Sequence, residues 1–348
     1  MKPHAPLRAV RLRALAAPAL AAATLLAALP LPAAAQDKPV SLRYTSNSPP
    51  KAPWAIQIDR AAAMTAEQSK GSVKIEPFYG GQLGNEQDTV QQVARGRIDM
   101  GGFSLGSASL LVPELQVLQL PFYFESAAEQ DCVLDRHLAK PIDDLFAAKG
   151  VKLLGFGDVG TIDLMGKRPF ASPADVKGLK GVSYAKIQSM MWQALGVNST
   201  FIGVPEWSSS LQTGVVDFIG TPASLYVPSG MNKIAPVLTR LNLWYTPSVQ
   251  IINRGIWDRL GAEQRAAIER VMKEESAAKL RAEIRGFEDK LRQAHVAGGG
   301  QIVELTPEQR AAWRAAVAPV WPEMVKALGG QADTLFKAIE SGRAACKK

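Results

Sequence analysis

Histidine and cysteine are scarce in this chain of 348 residues, which contains three His and two Cys. After the first 35 residues only His137 and His295 remain, and neither has a cysteine or a carboxylate cluster at metal-ligand spacing. Cys132 and Cys346 also fit no metal-binding pattern. The sequence therefore predicts no metal site and no cofactor, and it offers no candidate catalytic residues.

The two cysteines are far apart in the sequence, and two in a chain of this length do not form a disulfide scaffold. An oxidising compartment would allow Cys132 and Cys346 to pair. However, Cys346 lies in a terminal tail that is expected to be frayed. The sequence therefore favours two free thiols over a bond between them.

A block of like charge is also absent, although the formal net charge is +8. Half of that charge comes from four basic residues within the first 35, and the remaining charges are interspersed. Proteins that bind nucleic acids usually present a basic patch or stripe along the phosphates. We therefore do not expect a nucleic-acid partner.

The first 35 residues have the pattern of a secretory signal peptide. Basic residues between Lys2 and Arg13 precede an Ala-rich apolar stretch at 15–31, and Ala33-Ala34-Ala35 offers a small-residue cleavage site. We expect cleavage before Gln36 and release into the periplasm, and a membrane anchor is the alternative. No other stretch is long and apolar enough to span a bilayer.

Strand-like and helix-like patterns alternate in the first half of the chain, which is typical of α/β layers. The predicted strands and helices there are 40–44, 54–69, 73–79, 86–94 and 99–103. Because crossovers are right-handed, this order predicts a doubly wound parallel sheet. Ligands of such sheets bind beyond the carboxyl ends of the strands, which places loops 45–54 and 104–107 at a site.

The second half repeats this alternation. A strand at 151–155 is predicted to cross into a second lobe, and 246–253 is predicted to return from it. Further strand ends and helices are predicted at 182–184, 188–195, 200–202, 207–213 and 218–220. Apolar residues at helical spacing over 262–294 predict one long amphipathic helix.

Several short segments occur in an order that resembles one family of receptors. They read FYGGQLG (78–84), QQVARGRIDM (91–100), LPFYF (120–124), KRP (167–169), PADVKGLK (173–180), QALGV (193–197), LQTGVVD (211–217) and NRGIWDRL (253–260). Each segment alone is weak, but together they cover nearly the whole chain after residue 35. The chain thus resembles the solute-binding receptors of tripartite ATP-independent periplasmic (TRAP) transporters, the C4-dicarboxylate-receptor-like family.

The resemblance implies an α/β fold of two lobes, with crossing hinge strands and a long helix that spans both lobes. The first lobe would be 36–157, completed by about 250–290, and the second 158–249, completed by about 291–345. A small solute would be captured as the cleft closes about a hinge near 155–162 and 246–252. The closed, monomeric receptor would then deliver it to the membrane permease subunits. It would not be an enzyme.

This chain departs from the family at three polar anchors. The family grips organic acids with an arginine that follows the KGLK segment, where this chain has Val182. A second arginine found in many members would fall near Ile162, and an Asn before Pro222 is replaced by Thr221. Because a guanidinium pairs with a carboxylate through two charge-assisted hydrogen bonds, its loss predicts a ligand other than a simple dicarboxylate. A neutral, aromatic or weakly acidic solute is favoured.

Lys186 lies a few residues after the position of the first missing arginine and is a possible substitute anchor. A solvent-facing lysine at a helix N-terminus is the favoured interpretation. Asp163 and Glu206 are possible partners for a cationic or hydroxylated ligand, but exposed carboxylates are the more common explanation for such residues.

Aromatic and hydroxyl side chains fall in the loops that we assign to the cleft. The predicted ligand contacts are Trp54, Phe103, Ser104, Tyr184, Trp207, Thr221 and Tyr245. Trp54 is equally consistent with packing at a helix start, and Phe103 with a place in the core. Trp244 and Tyr245 would alternatively shape the hinge.

Two rival functions stay open at the level of sequence. One is a receptor that serves a sensor protein instead of a permease, and the other is a secreted enzyme on the same scaffold. Gly155, Gly157 and Gly160 match a dinucleotide-binding fingerprint. We reject that interpretation, because no helix pattern follows and the family resemblance assigns the segment to a crossing strand.

Overall fold

The computed structural model describes residues 38–347, together with Met1. Apart from Met1, the predicted signal peptide of residues 1–35 lies outside the described residues. Within the described part of the chain, no helix is long and apolar enough to cross a membrane.

Among the described residues, nine strands form one mixed sheet in the order β2-β1-β3-β8-β4-β7-β5-β6, with β9 paired to β8. The strands are β1 (Val40–Thr45), β2 (Val73–Phe78), β3 (Met100–Ser104), β4 (Val151–Gly166), β5 (Lys180–Ser183), β6 (Asn198–Phe201), β7 (Phe218–Thr221), β8 (Val237–Asn253) and β9 (Gln301–Glu304).

Helices connect these strands and pack against them. They are α1 (Pro53–Gln68), α2 (Glu86–Ala94), α3 (Leu105–Ala108), α4 (Ala127–Val133), α5 (Ala139–Ala147), α6 (Lys186–Ala194), α7 (Trp207–Thr213), α8 (Ala223–Tyr226), α9 (Arg254–Arg259), α10 (Ala262–Glu274), α11 (Ala277–Ala297), α12 (Pro307–Val317), α13 (Trp321–Leu328) and α14 (Ala332–Cys346).

Apolar residues at helical spacing hold α1 and α2 on the first half of the sheet. α1 buries Ala55 and Ile58 on one face. α2 starts at Asn85, whose side chain accepts a backbone N–H of the first turn, and it buries Val90 and Val93. These contacts leave the carboxyl ends of β1 and β3 at one edge, as the sequence predicts.

β4 and β8 are the longest strands, with 16 and 17 residues, and they pair antiparallel with each other. β1, β2 and β3 form a parallel group on one side, and β5, β6 and β7 form a second parallel group on the other. The crossing strands therefore join two half-sheets, which confirms the two-lobed α/β fold. The predicted boundary at residues 157 and 158 falls inside β4 and stays a prediction.

The single helix predicted over 262–294 is two helices. α10 ends at Glu274, and Ser276 accepts the N–H of Lys279 to begin α11. The carbonyl of Glu275 between them accepts a hydrogen bond from Gln57 at 3.0 Å. Because Gln57 lies on α1, the break ties the helical region to the first half-sheet. α11 alone then runs along both halves.

Cys132 and Cys346 form a disulfide bond, so the expectation of free thiols is wrong. The reason is that α14 is a packed helix and not a frayed tail. It buries Leu335 and Ile339 in the main core, and Arg343 pairs with Glu129 of α4 at 2.8 Å. The bond therefore joins two elements that already pack together.

Candidate functional site

The carboxyl end of β7 and the middle of β8 meet β4 over residues 160–163, and we call this stretch the crossing segment. Thr221 lies opposite Asp163 in the register of β7 and β4. Trp244 lies opposite Ile162, and Thr246 opposite Gly160, in the register of β8 and β4. These side chains therefore surround the point where the two half-sheets join.

Gln188 of α6 reaches the same place from the second half-sheet. A Cβ atom built on Gly220 would lie 3.8 Å from Gln188 Nε2 and 3.4 Å from Ile162 Cγ2. Both side chains therefore lie within ordinary van der Waals distance of this position on β7. Gln188 Oε1 accepts the backbone N–H of Tyr184 at 2.8 Å, which fixes the direction of its Nε2 group.

Five polar atoms around the crossing segment are buried and have no hydrogen-bond partner among the described residues. They are Asp163 Oδ2, Gln188 Nε2, Thr221 Oγ1, Trp244 Nε1 and Thr246 Oγ1. Arg240 Nε and Arg292 Nη1, on two arginines whose charges act on Asp163, are also buried without a hydrogen-bond partner. Further unpartnered atoms lie elsewhere among the described residues, as on Trp313. Because buried polar groups are nearly always hydrogen-bonded, each of these atoms is a position where a bound molecule could complete a hydrogen bond.

Asp163 is fully buried, so its interpretation as an exposed carboxylate is wrong. Its Oδ1 atom accepts the backbone N–H of Asn242 at 2.8 Å. Burial raises the pKa of Asp163 to about 6, and the Asn242 bond and the charges of Arg240 and Arg292 partly oppose this rise. The carboxyl group is therefore close to its titration point near neutral pH.

Tyr184 and Trp207, both predicted as ligand contacts, lie together at the end of β5. Their ring centroids are 5.6 Å apart at an interplanar angle of 37°. Tyr184 is half-buried, whereas Trp207 is only 3% exposed and its Nε1 donates to the Ile202 carbonyl at 3.0 Å. Tyr184 thus presents the more accessible ring, and Trp207 supports it from the core of the second half.

Trp54 and Tyr245 flank the crossing segment and are half-buried. The Trp54 Nε1 atom donates to the Asp158 carbonyl at 2.7 Å, and its ring meets Phe287 of α11 edge-on at 6.5 Å. Tyr245 lies opposite Thr161 on β4. Trp54 therefore bridges α1, β4 and α11, which supports the role in packing that the sequence allowed for it.

Phe103 and Ser104 end β3 in the first half. Phe103 is 1% exposed and belongs to the main core. The Ser104 hydroxyl donates to Glu86 Oε2 at 2.6 Å, and its backbone N–H donates to Glu86 Oε1 at 2.6 Å. The same Glu86 accepts the Ser107 hydroxyl, so one carboxylate holds this loop. The sequence analysis did not identify Glu86.

Lys186 is exposed at the first position of α6, as the solvent-facing interpretation has it. Its Nζ atom donates to the Ala327 carbonyl near the end of α13. That contact directs its charge to a helix C-terminus.

Within the described part of the chain, no group of three or more His, Cys, Asp or Glu could hold a metal ion.

Residues 44–328 match the family model of the bacterial extracellular solute-binding proteins, family 7. The chain belongs to that family. The C4-dicarboxylate-binding periplasmic protein DctP of Rhodobacter capsulatus is 28% identical over 312 residues, which are 89% of this chain and 93% of that protein. The predicted resemblance to TRAP receptors is confirmed.

Solved structures of TRAP periplasmic solute-binding proteins resemble this family 7 receptor over most of its length. The one from Roseobacter denitrificans, with bound β-D-glucuronate, is 28% identical at a TM-score of 0.79, covering 86% of this chain and 99% of that one. The one from Ochrobactrum anthropi is 25% identical at a TM-score of 0.81, covering 88% and 97%.

The three altered anchors of this family 7 receptor are all buried. Ile162 is 3% exposed and Val182 is 1% exposed, while Thr221 is fully buried. Val182 belongs to the apolar cluster of the second half, together with Trp207. An aliphatic or hydroxyl side chain therefore occupies each position where the family resemblance implies an arginine or an asparagine.

Glu288 of α11 ties this helix to both sides of the crossing segment. It accepts the backbone N–H of Thr161 on β4 at 3.2 Å and that of Ser224 on α8 at 3.3 Å. Its side chain is 1% exposed, and burial raises its pKa to about 7 against the opposing charge of Arg292. The sequence analysis missed Glu288, because only the fold brings α11 onto β4.

Proposed function

We propose that this receptor captures a small solute between its two half-sheets and delivers it to the membrane permease of a TRAP transporter. It acts in the periplasm after removal of residues 1–35, as a monomer and without catalytic activity. The observation that carries the proposal is the group of five buried, unpartnered polar atoms around the crossing segment. A bound solute would supply their missing hydrogen bonds.

The geometry supports closure of the two halves as the capture step. Both crossing strands run through the site, so a change in their twist moves one half-sheet relative to the other. Tyr184 on the second half and Trp54 beside β4 would contact the solute as the halves approach. Trp207 and Phe103 would pack behind the residues that make these contacts. Thr221 and Tyr245 would contact the solute directly.

The expected cargo differs from that of the named relatives. DctP of Rhodobacter capsulatus is a C4-dicarboxylate-binding protein, and the Roseobacter denitrificans receptor holds glucuronate. With Ile162, Val182 and Thr221 at the anchor positions, this chain lacks an arginine at the places where the family resemblance implies one. Its solute is therefore not a simple arginine-clamped dicarboxylate.

A thermal-shift screen of residues 36–348 against organic acids, sugars, polyols, aromatics and amines tests the proposal. A binder raises the melting temperature by mass action, about 2.7 kcal/mol of added stability at 100 times its Kd. Thr221→Val should reduce the shift while leaving the unliganded melting temperature nearly unchanged. Thr65→Val removes a buried hydroxyl on α1 and serves as the control. An equal shift in both variants would contradict the proposed site.

A further inference from the structure

We propose that a basic surface at one end of the first half docks on a membrane that carries anionic lipid headgroups. This inference goes beyond the proposed function, because it concerns contact with a lipid surface and not capture of the solute. The surface lies around the start of β4 at Val151. It is remote from the crossing segment, since the path along β4 from Val151 to Gly160 is about 30 Å at about 3.3 Å per residue.

The side chain of Asn253 brings three segments of the chain together at this end. Asn253 ends β8 and is buried. Its Nδ2 atom donates to the carbonyls of Val93 and Ala94 at 2.9 and 3.2 Å, and to that of Gly150 at 3.5 Å. Its Oδ1 atom accepts the backbone N–H of Ile256 at 3.1 Å and so begins α9. The end of α2, the start of β4 and the first turn of α9 therefore lie side by side.

These segments and the neighbouring strand β1 carry six exposed cations, which we call the basic patch. They are Arg43, Arg95, Arg97, Lys149, Arg254 and Arg259. The guanidinium of Arg43 donates to the carbonyl of Arg97. A Cβ atom on Gly255 would lie 3.7 Å from Arg259 Nη1. Arg95 and Lys149 are next in the chain to residues that Asn253 contacts, so the six side chains are neighbours.

The carboxylates near the basic patch do not balance its charge. Asp99 pairs with Arg43 at 3.4 Å, and Asp258 pairs with Arg254 at 3.2 Å. Four cations of the patch make no ion pair within the described part of the chain, namely Arg95, Arg97, Lys149 and Arg259. Their charges are available to a partner.

Helix ends account for only part of this accumulation. Arg95 caps the end of α2, Lys149 follows the end of α5, and Arg259 lies in the last turn of α9. The carbonyl end of a helix carries about half a negative charge, so three such ends do not offset four unpaired cations. Asp143 and Asp144 of α5 are each paired with a lysine outside the patch. The surface therefore stays positive.

The basic patch also has no apolar anchor. Among the described residues, none of the exposed large apolar side chains lies within 93–99, 149–150 or 253–260. Protein interfaces usually centre on buried aromatic or aliphatic anchors. Cations on long side chains, without such anchors, suit the diffuse attraction of a layer of anionic headgroups. A membrane surface is therefore favoured over an acidic protein.

Sedimentation of residues 36–348 with sucrose-loaded vesicles tests the inference. Vesicles of phosphatidylcholine alone are compared with vesicles that also contain phosphatidylglycerol. We expect binding to the anionic vesicles only. It should fall about tenfold or more when the ionic strength rises from about 0.01 M to about 0.15 M, because the Debye length shrinks from about 30 Å to about 8 Å.

Arg95→Gln/Arg97→Gln removes two unpaired cations of the basic patch. Each cation near an anionic surface contributes about fivefold to binding, so this variant should bind the anionic vesicles about 25-fold more weakly. Lys149→Gln alone should weaken binding about fivefold. Lys233→Gln/Lys290→Gln is the matched control, since both lysines are exposed and lie outside the patch. It loses the same charge and should bind nearly as well as the wild type.

The outcomes are distinct from those of the solute screen, because no solute is present. Anionic vesicles bound by the wild type and the control, but more weakly by the patch variants, would support the proposal. No binding to anionic vesicles at low ionic strength would overturn it. So would equal binding to both kinds of vesicle, or equal losses in the two double variants. Binding to soluble polyglutamate without binding to vesicles would assign the patch to an acidic protein and overturn the membrane contact.

Discussion

Glu288 of α11 accepts the backbone N–H of Thr161 on the crossing strand β4 at 3.2 Å. A helix that runs along both halves of the molecule is thereby attached beside the site through one buried carboxyl group. The state of that group bears on stability, because its surroundings include Arg292 together with the buried acids Asp158 and Asp163.

Because Glu288 titrates, the free energy of unfolding of the protein should fall as the pH rises. Its pKa in the folded state is about 7, above the ordinary value of 4.5, so the folded protein binds the proton more tightly than the unfolded chain. Its contribution is fully present below about pH 4.5 and is lost as the pH rises towards 7. The difference between these values corresponds to at most ~3 kcal/mol.

Urea unfolding of the wild type and of Glu288→Gln at pH 5 and pH 8 checks this prediction. The glutamine cannot titrate. The free energy of unfolding of the variant, relative to that of the wild type, should therefore be higher at pH 8 than at pH 5. Buried Asp158 and Asp163 also have raised pKa values, so both proteins should keep part of the dependence of stability on pH. The same difference at both pH values would contradict the account.

Removal of the bond between Cys132 and Cys346 should destabilise the fold by about 2–4 kcal/mol. The bond closes most of the chain into a loop, with a sequence separation of 214 residues. Denaturant unfolding of Cys132→Ser/Cys346→Ser should match that of the reduced wild type. A wild type that is insensitive to reductant while the double variant is destabilised would show that the serines, and not the lost bond, are responsible.

Gly160→Ala should be costly, because the glycine has φ +126° and a Cβ there would lie 2.5 Å from Glu288 Oε1. Strain of this kind costs about 1–3 kcal/mol. Gly155→Ala on the same strand is the matched control, since its Cβ would meet Met272 at an ordinary 3.7 Å. Thermal unfolding of the two variants should separate them, and equal melting temperatures would contradict the packing of α11 on β4.

Trp207→Ala should unfold the second half more readily, at a cost of about 3–5 kcal/mol. The indole is buried and bonded to the Ile202 carbonyl. Loss of binding in that variant alone therefore says little about contact with the solute. Binding is better compared in Trp207→Phe, which keeps most of the packing, and in Tyr184→Phe, which keeps the accessible ring. If Trp207→Ala is as stable as the wild type, the assignment of Trp207 to the core is wrong.

Local patterns predicted much of the fold. Strand-like patterns predicted β1, β2 and β3, and the ordered motifs from FYGGQLG to NRGIWDRL identified the family. The break between α10 and α11 was missed, because the helical spacing of apolar residues continues through Glu275. At the break the carbonyl of Glu275 accepts a hydrogen bond from Gln57, 218 residues away in the sequence, and Ser276 caps the next helix.

The site was predicted less completely than the fold. Loop positions pointed to Tyr184 and Thr221, and the missing arginine at Ile162 could be inferred from the family resemblance. The places of Asp163 and Gln188 depend on strand register and on the packing of α6 against β5, which sequence patterns do not reveal. The pairing of Cys132 with Cys346 likewise required the docking of α14 on α4.

The central claim is that a solute bound at the crossing segment draws the two halves together. Spin labels at Glu67→Cys on α1 and Gln193→Cys on α6, both exposed positions, report the distance between the halves, and the native cysteines are held in their disulfide. Pulsed electron paramagnetic resonance would compare the protein alone with the protein plus the solute that gives the largest thermal shift. The account predicts a shorter distance with the solute, abolished by Thr221→Val at the same solute concentration. An unchanged distance with the solute bound would contradict it.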